Sequence, residues 1–157
     1  MKKLIILSLI FMPLCMAAQN WTPDEKLILD RVKTGFSSWQ DAKNNKDLSI
    51  WLKATDPTDD WQGWWSQDGG LWNLDDTKRN FELLTKDVKK NYWINVKPVS
   101  IKVYDNVAFI WYYSTWAEED QKGNTNTVEE KRFDSFRKID GKWRINASMI
   151  VQKQTEL

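Results

Sequence analysis

Residues 128–151 read VEEKRFDSFRKIDGKWRINASMIV, and the fold follows from where this stretch turns. Asp140-Gly141 is one of the strongest two-residue hairpin signals, because such a turn needs positive φ at its central positions and Gly adopts it without steric penalty. It joins a strand over 128–139 to one over 142–151. Counting outward from the turn, Lys138 faces Trp143, Phe136 faces Ile145, Asp134 faces Ala147 and Arg132 faces Met149. One face then carries Val128, Glu130, Arg132, Asp134, Phe136, Trp143, Ile145, Ala147, Met149 and Val151. The other carries Lys131, Phe133, Ser135, Arg137, Lys142, Arg144, Asn146, Ser148 and Ile150. The first face is the more apolar and is predicted to meet the rest of the chain.

Three residues break that apolar face: Glu130, Arg132 and Asp134 alternate along one strand. Isolated charges are not buried without compensation, since each costs several kcal/mol. Two readings stand side by side. The three line a solvent-filled pocket, with Arg132 holding an anionic or carbonyl group and a carboxylate available as a base. Alternatively they satisfy one another as a cluster, or lie exposed at an open end of the sheet.

Upstream, residues 96–104 and 107–116 form a second hairpin around Asp105-Asn106. Val103 pairs with Ala108, Ile101 with Ile110 and Val99 with Tyr112. This face continues through Ser114 and Trp116 and is expected to look inward. Phe109, Trp111 and Tyr113 then point outward, and three consecutive outward aromatics are too many for a solvated face. A homodimer interface accounts for them, as do a carbohydrate-stacking platform or cover by a loop. Residues 117–127 between the hairpins read as a polar loop.

Toward the N-terminus the pattern is helical. Thr22 is an N-cap, Pro23 stands at the first helical position and Glu25 completes a capping box. Ile28, Val32, Gly35, Phe36 and Trp39 make one face of a helix ending near Lys43, followed by a turn at Asn44-Asn45-Lys46. Asp47 opens a short helix with Leu48, Trp51 and Leu52 on one side, which stops before Asp56-Pro57. Asp75 or Asp76 caps a third helix, with Phe81, Leu84 and Val88 spaced for burial and Lys86, Lys89 and Lys90 near its negative end. Residues 56–74 read as two short strands or a loop. There Trp61, Trp64, Trp65 and Trp72, beside Asp59, Asp60, Gln67 and Asp68, are either core filler or an amphipathic rim for a flat ligand. Three helices followed by a four-stranded antiparallel meander make an α+β domain.

Composition narrows the chemistry. The 157 residues hold 23 Lys+Arg, 22 Asp+Glu, 11 Trp, one Cys and no His. Without histidine there is no Ser-His-Asp or Cys-His nucleophile, no imidazole base and no His-ligated zinc. Asp59-Asp60 and Asp75-Asp76 lack the run of oxygen ligands of a calcium loop and suit helix caps, so no metal and no cofactor is expected. A formal charge of +1 offers no phosphate-binding surface, and nucleic acid is not an expected partner. Lys2 and Lys3, the uncharged run 4–15 and Met16-Ala17-Ala18 read as a cleavable signal peptide over 1–18. At 12 residues the run is too short for a bilayer core of about 30 Å. Pro13 and Leu14 are poor context for lipidation at Cys15, so ordinary cleavage is the expectation. It leaves one domain over 19–157, secreted or periplasmic, with no membrane anchor, no cysteine and a net charge of −1.

The order of these segments resembles the NTF2-like superfamily, in particular its SnoaL-like and DUF4440-type bacterial members. The resemblance rests on Phe36-Ser37-Ser38-Trp39 closing the first helix, Asp47 opening the second, Asn106-Val107-Ala108-Phe109-Ile110, Arg132-Phe133-Asp134-Ser135-Phe136 and Asp140-Gly141-Lys142-Trp143-Arg144-Ile145. It implies an NTF2-like cone, three N-terminal helices packed on a curved antiparallel sheet, with a pocket between them and often a dimer through the outer sheet face. Such proteins include isomerases, dehydratases, cyclases, epoxide hydrolases and plain binding domains, so the fold does not give the function. Members that use a pocket histidine are excluded as guides. The leading expectation is a secreted domain binding a small apolar or aromatic ligand through Trp61, Trp64, Trp65, Trp72, Tyr112, Trp116, Glu130, Arg132 and Asp134. It is expected to pair as a homodimer through Phe109, Trp111 and Tyr113. One alternative is a carboxylate-based isomerase or dehydratase with Asp134 or Glu130 as base and Tyr112 as hydrogen-bond donor. Another is a homodimeric interaction module without a ligand.

Overall fold

The computed structural model describes residues 20–67 and 69–152. The signal peptide expected over 1–18 and the rim residue Asp68 lie outside the described residues.

Helix α1 (Pro23–Asn45) begins where its capping box dictates: Thr22 Oγ1 accepts from the Glu25 N–H, and the Glu25 carboxylate accepts from the Thr22 N–H at 2.8 Å. It ends at Lys46, which turns left-handed with φ 56°. Asp47 then caps α2 (Leu48–Thr55) by accepting from the Ser49 N–H. The stretch after α2 folds as two short strands, β1 (Gln62–Trp65) and β2 (Leu71–Asn73). Helix α3 (Leu74–Thr85) is shorter than expected, and its cap is Asn73, with Asp76 as the reciprocal partner in a second capping box. Val88 is the first residue of β3 (Val88–Tyr104), not the last of a helical face. Where the helix ends, the Lys46 ammonium binds the carbonyls of Thr85 and Val88 and so takes up the chain as it turns into β3. Lys86 is thus the C-cap at the negative end of the helix, whereas Lys89 and Lys90 lie beyond it in β3.

Strands β4 (Val107–Asp120), β5 (Thr125–Ile139) and β6 (Lys142–Gln152) complete the molecule. The expected loop over 117–127 shrinks to a tight turn, because Ala117, Glu118 and Glu119 pair with Thr127, Asn126 and Thr125. The sheet has six strands in the order β2-β1-β6-β5-β4-β3, and β1 runs parallel to β6. It is thus mixed and wider than a four-stranded antiparallel meander.

Irregularities in pairing bend the sheet around α1, since an extra residue on one strand locally increases twist and bend. Three fall on β3, and one of them lifts Val99 out of the expected pair with Tyr112, which Pro98 faces instead. Val99 is exposed. The fourth is the most consequential. Phe136 pairs with Ile145 as expected, but Ser135 pairs with Ala147, so Asn146 is an extra residue on β6. Beyond it the parity of β6 reverses: Asp134 faces Ser148 and Arg132 faces Ile150. Ser148 and Ile150 are buried, whereas Met149 is 49% exposed and Val151 is exposed too. The sequence-based assignment of Ala147, Met149 and Val151 to the inner face fails for this reason. That of β5 holds.

Two buried clusters fill the interior. Ile28, Val32, Ile101, Ile110, Phe136 and Trp143 pack between α1 and β3–β6. Ala42, Trp51, Trp61 and Phe81 join α1, α2, β1 and α3. Gly63 lets β1 approach the second cluster: a Cβ there would lie 2.6 Å from the Trp65 ring and 2.9 Å from that of Trp61. Gly63→Ala is expected to displace both indoles, to cost about 1–3 kcal/mol of stability in denaturant unfolding and to shift tryptophan emission. An unchanged midpoint and spectrum would contradict this packing.

Candidate functional site

A cavity of about 510 Å³ draws its wall from both clusters, with Val32, Phe36 and Phe136 on one side and Trp39, Trp51 and Trp61 on the other. Seven of the 11 tryptophans line it: Trp39, Trp51, Trp61, Trp65, Trp72, Trp93 and Trp116. Five form a continuous chain of ring contacts, Trp39 to Trp51 at 5.5 Å, then Trp61 at 5.9 Å, Trp65 at 6.3 Å and Trp72 at 5.3 Å between centroids. Most are edge-on, the arrangement the ring quadrupoles favour.

At the other end, α1 and β3–β6 bring together a polar group. Tyr112, Ser114, Glu130, Arg132 and Asp134 project from adjacent strands in register, Tyr112 opposite Arg132 and Ser114 opposite Glu130. Glu130, 4% exposed, accepts from the Ser114 hydroxyl at 3.0 Å, the Gln152 amide at 2.9 Å and the Arg132 guanidinium at 3.2 Å. Asp134, 3% exposed, accepts from the Tyr112 hydroxyl at 2.5 Å through Oδ2. Its Oδ1 has no hydrogen-bond partner among the described residues, nor has Arg132 Nε. The Arg132 guanidinium also lies over the Phe36 ring at 4.9 Å, and Phe36 meets Trp93 and Tyr112. Charge pairing and cavity lining, offered as alternatives by the sequence, are both present.

Burial pushes the Tyr112 phenol well above its ordinary range; the nearby Asp134 carboxylate adds to this, and the Arg132 charge offsets it only in part. Burial works against the Arg132 charge, but the Tyr112 oxygen and the carboxylates of Glu130 and Asp134 outweigh it and raise its pKa. The group therefore contains a neutral phenol and a firmly charged guanidinium.

Of the expected ligand-contacting residues, Trp61, Trp65, Trp72, Tyr112, Trp116, Glu130, Arg132 and Asp134 all line the cavity. Trp64 is the exception: it alternates with Trp65 along β1, beside Met149 on the outer side of β6. Phe109, Trp111 and Tyr113 stand on the outer face, where Phe109 and Trp111 pack against Phe133. Sequence reading missed Trp93, Ser148, Ile150 and Gln152 as lining residues. Trp93 precedes a β3 irregularity, and the other three follow the extra residue at Asn146. Among the described residues, no group of three acidic or cysteine side chains is placed to hold a metal ion.

This architecture is the NTF2-like fold, helices packed into a curved, unclosed sheet. An NTF2-like superfamily protein from Salmonella enterica serovar Typhimurium superposes with a TM-score of 0.62 at 15% identity, over 83% of this chain and 94% of that one. An NTF2-like protein from Cytophaga hutchinsonii gives 0.61 at 15% identity over 84% and 100%. A hexachlorocyclohexane dehydrochlorinase gives 0.63 at 10% identity over 85% and 90%. By sequence, no protein-family model and no curated protein matches the chain.

The raised Tyr112 pKa has a measurable consequence. The unfolded phenol ionises near 10, so Tyr112 contributes stability that is complete below that pH. It is lost as pH rises toward the higher folded value. Tyrosinate absorbance from Tyr112 is expected to emerge at alkaline pH only together with loss of circular dichroism, and Tyr112→Phe to remove that step. A Tyr112 signal in the still-folded protein would contradict the buried pair.

Proposed function

We propose that the cone binds a small apolar or aromatic molecule, held between the indole wall and the Tyr112–Asp134–Arg132 group. One observation carries this reading: two buried polar atoms with unmet hydrogen-bonding capacity, Asp134 Oδ1 and Arg132 Nε, belong to residues of a cavity wall that also holds seven tryptophans. Binding pockets combine these two features, a large apolar lining and a few convergent polar groups.

Proton-transfer chemistry is the second reading, and the free Asp134 oxygen favours it. In that role Asp134 would act as base. The Tyr112 hydroxyl, however, already donates to Asp134, and Glu130 accepts three hydrogen bonds, so neither supplies the extra donor or base that isomerisation needs. The dehydrochlorinase of the same fold does chemistry on its substrate; binding is what this chain's residues support best.

Exported protein, with the mass of residues 19–157, is expected to show saturable quenching of tryptophan emission by 2-naphthol and related flat aromatics. Trp61→Leu or Trp93→Leu is expected to weaken that binding at least several-fold. Silence across a broad set of aromatic and apolar compounds would favour an interaction module.

The outer aromatic face supports a homodimer in the same proposal. Trp111 and Tyr113 are 44% and 48% exposed, and with Phe109 and Phe133 they make a contiguous apolar patch. Sedimentation is expected to give a dimer for the wild-type protein and a monomer for Trp111→Lys with Tyr113→Lys, at unchanged circular dichroism. A wild-type monomer would overturn the pairing.

A further inference from the structure

Six ionisable residues other than Tyr112 line the cavity, and their pairing is unequal. Lys43 is bound to Glu118 and lies over the Trp116 ring. The Arg31 guanidinium donates to the Ala54 carbonyl at 3.1 Å and the Thr55 carbonyl at 2.5 Å, the negative end of α2. Arg132 is bound to Glu130, which Ser114 and Gln152 also engage. Each cation of the wall thus has an anionic or carbonyl partner, although the Nε of Arg31 and of Arg132 donates to none among the described residues. Asp134 has only the neutral Tyr112 hydroxyl, on one of its two oxygens. Over the whole wall three cations and three carboxylates cancel formally, but Glu130, Arg132 and Asp134 stand together with two carboxylates to one guanidinium, a local formal charge of −1.

From this we infer that the preferred ligand is an organic cation: a protonated amine carried on a flat or apolar body. The ammonium donates to Asp134 Oδ1 and neutralises the group, and the aromatic wall attracts it through the ring quadrupoles while covering its apolar part. An anion would meet the excess negative charge, and a neutral alcohol would supply one hydrogen bond without relieving that charge. The inference rests on the cone being a ligand pocket, as proposed above, and adds the sign of the charge it selects.

The test uses three probes of one shape: 2-naphthylmethylamine as its ammonium, 2-naphthalenemethanol and 2-naphthoate, each titrated into the wild-type protein by tryptophan quenching and calorimetry near neutral pH. The ammonium is expected to bind at least ten-fold more tightly than the alcohol, with the carboxylate weakest. Asp134→Asn, checked for folding by circular dichroism, is expected to bring ammonium and alcohol within about three-fold of each other while the alcohol still binds. Binding of the alcohol or carboxylate as tightly as the ammonium would overturn the inference and leave the pocket reading standing. An ammonium preference that survives in folded Asp134→Asn would overturn it as well. If none of the three binds, both the pocket and its selectivity fall. Should Asp134→Asn not fold, the wild-type ranking decides alone.

Discussion

Three charged residues on the inner face of β5 constrain everything around them. Glu130, Arg132 and Asp134 alternate on a strand whose inward side faces helix α1, so the cone cannot close over them with hydrocarbon. An uncompensated ion in such a place costs several kcal/mol. Neighbouring strands supply the compensation: Tyr112 and Ser114 from β4, Gln152 from β6. These partners fix the strand register together with the hydrophobic pattern, because a slip of β5 by one residue would turn all three charges outward and leave their partners on β4 and β6 inside.

The tryptophans explain why the cone stays hollow. Indoles are large, rigid and planar, and they meet preferentially edge to face. Five in sequence from Trp39 to Trp72 brace one another across α1, α2, β1 and β2. Each is held by its neighbours and not by filling the space in front of it. Gly63 is the point where this bracing leaves no slack, since β1 passes directly beneath two of the rings.

Much of this could be read from local chemistry. The Thr22/Glu25 capping box, the Asp47 cap and the Asp140-Gly141 turn act over a few residues, and each stands where the sequence puts it. The alternation of β5 was legible because the turn sets its phase. What escaped depends on distant partners. The spacing of Phe81, Leu84 and Val88 suits a helix, but the chain leaves the helix at Thr85, where the Lys46 ammonium takes the carbonyl. The extra residue at Asn146 has a similar origin. The Ile145 carbonyl accepts from the Thr58 N–H at 2.9 Å and the Asn146 amide donates to the Thr58 hydroxyl at 3.3 Å, contacts across more than 80 residues of sequence. No local propensity announces them. Trp64 was misplaced by the same limit, because the strand that carries it was ambiguous until its pairing with β6 fixed its phase.

The irregularity that hid the inner face of β6 also decides the chemistry of the cavity. With regular pairing, Met149 and Val151 would stand inside, beside Arg132 and Glu130, and neither offers a polar atom. The extra residue at Asn146 brings Ile150 and Gln152 inward instead. Gln152 then donates to Glu130 Oε1 while Ser114 and Arg132 take Oε2, so both oxygens of Glu130 are engaged. Asp134 has only Tyr112, and only on one side. Two carboxylates, four residues apart on one strand and equally buried, are thereby made unequal: one is a structural partner of Arg132, and the other keeps an oxygen for whatever enters the cone. The inequality does not reside in β5, where the two look alike, but in the phase of the strand beside it, whose extra residue is held by Thr58 from the segment between α2 and β1.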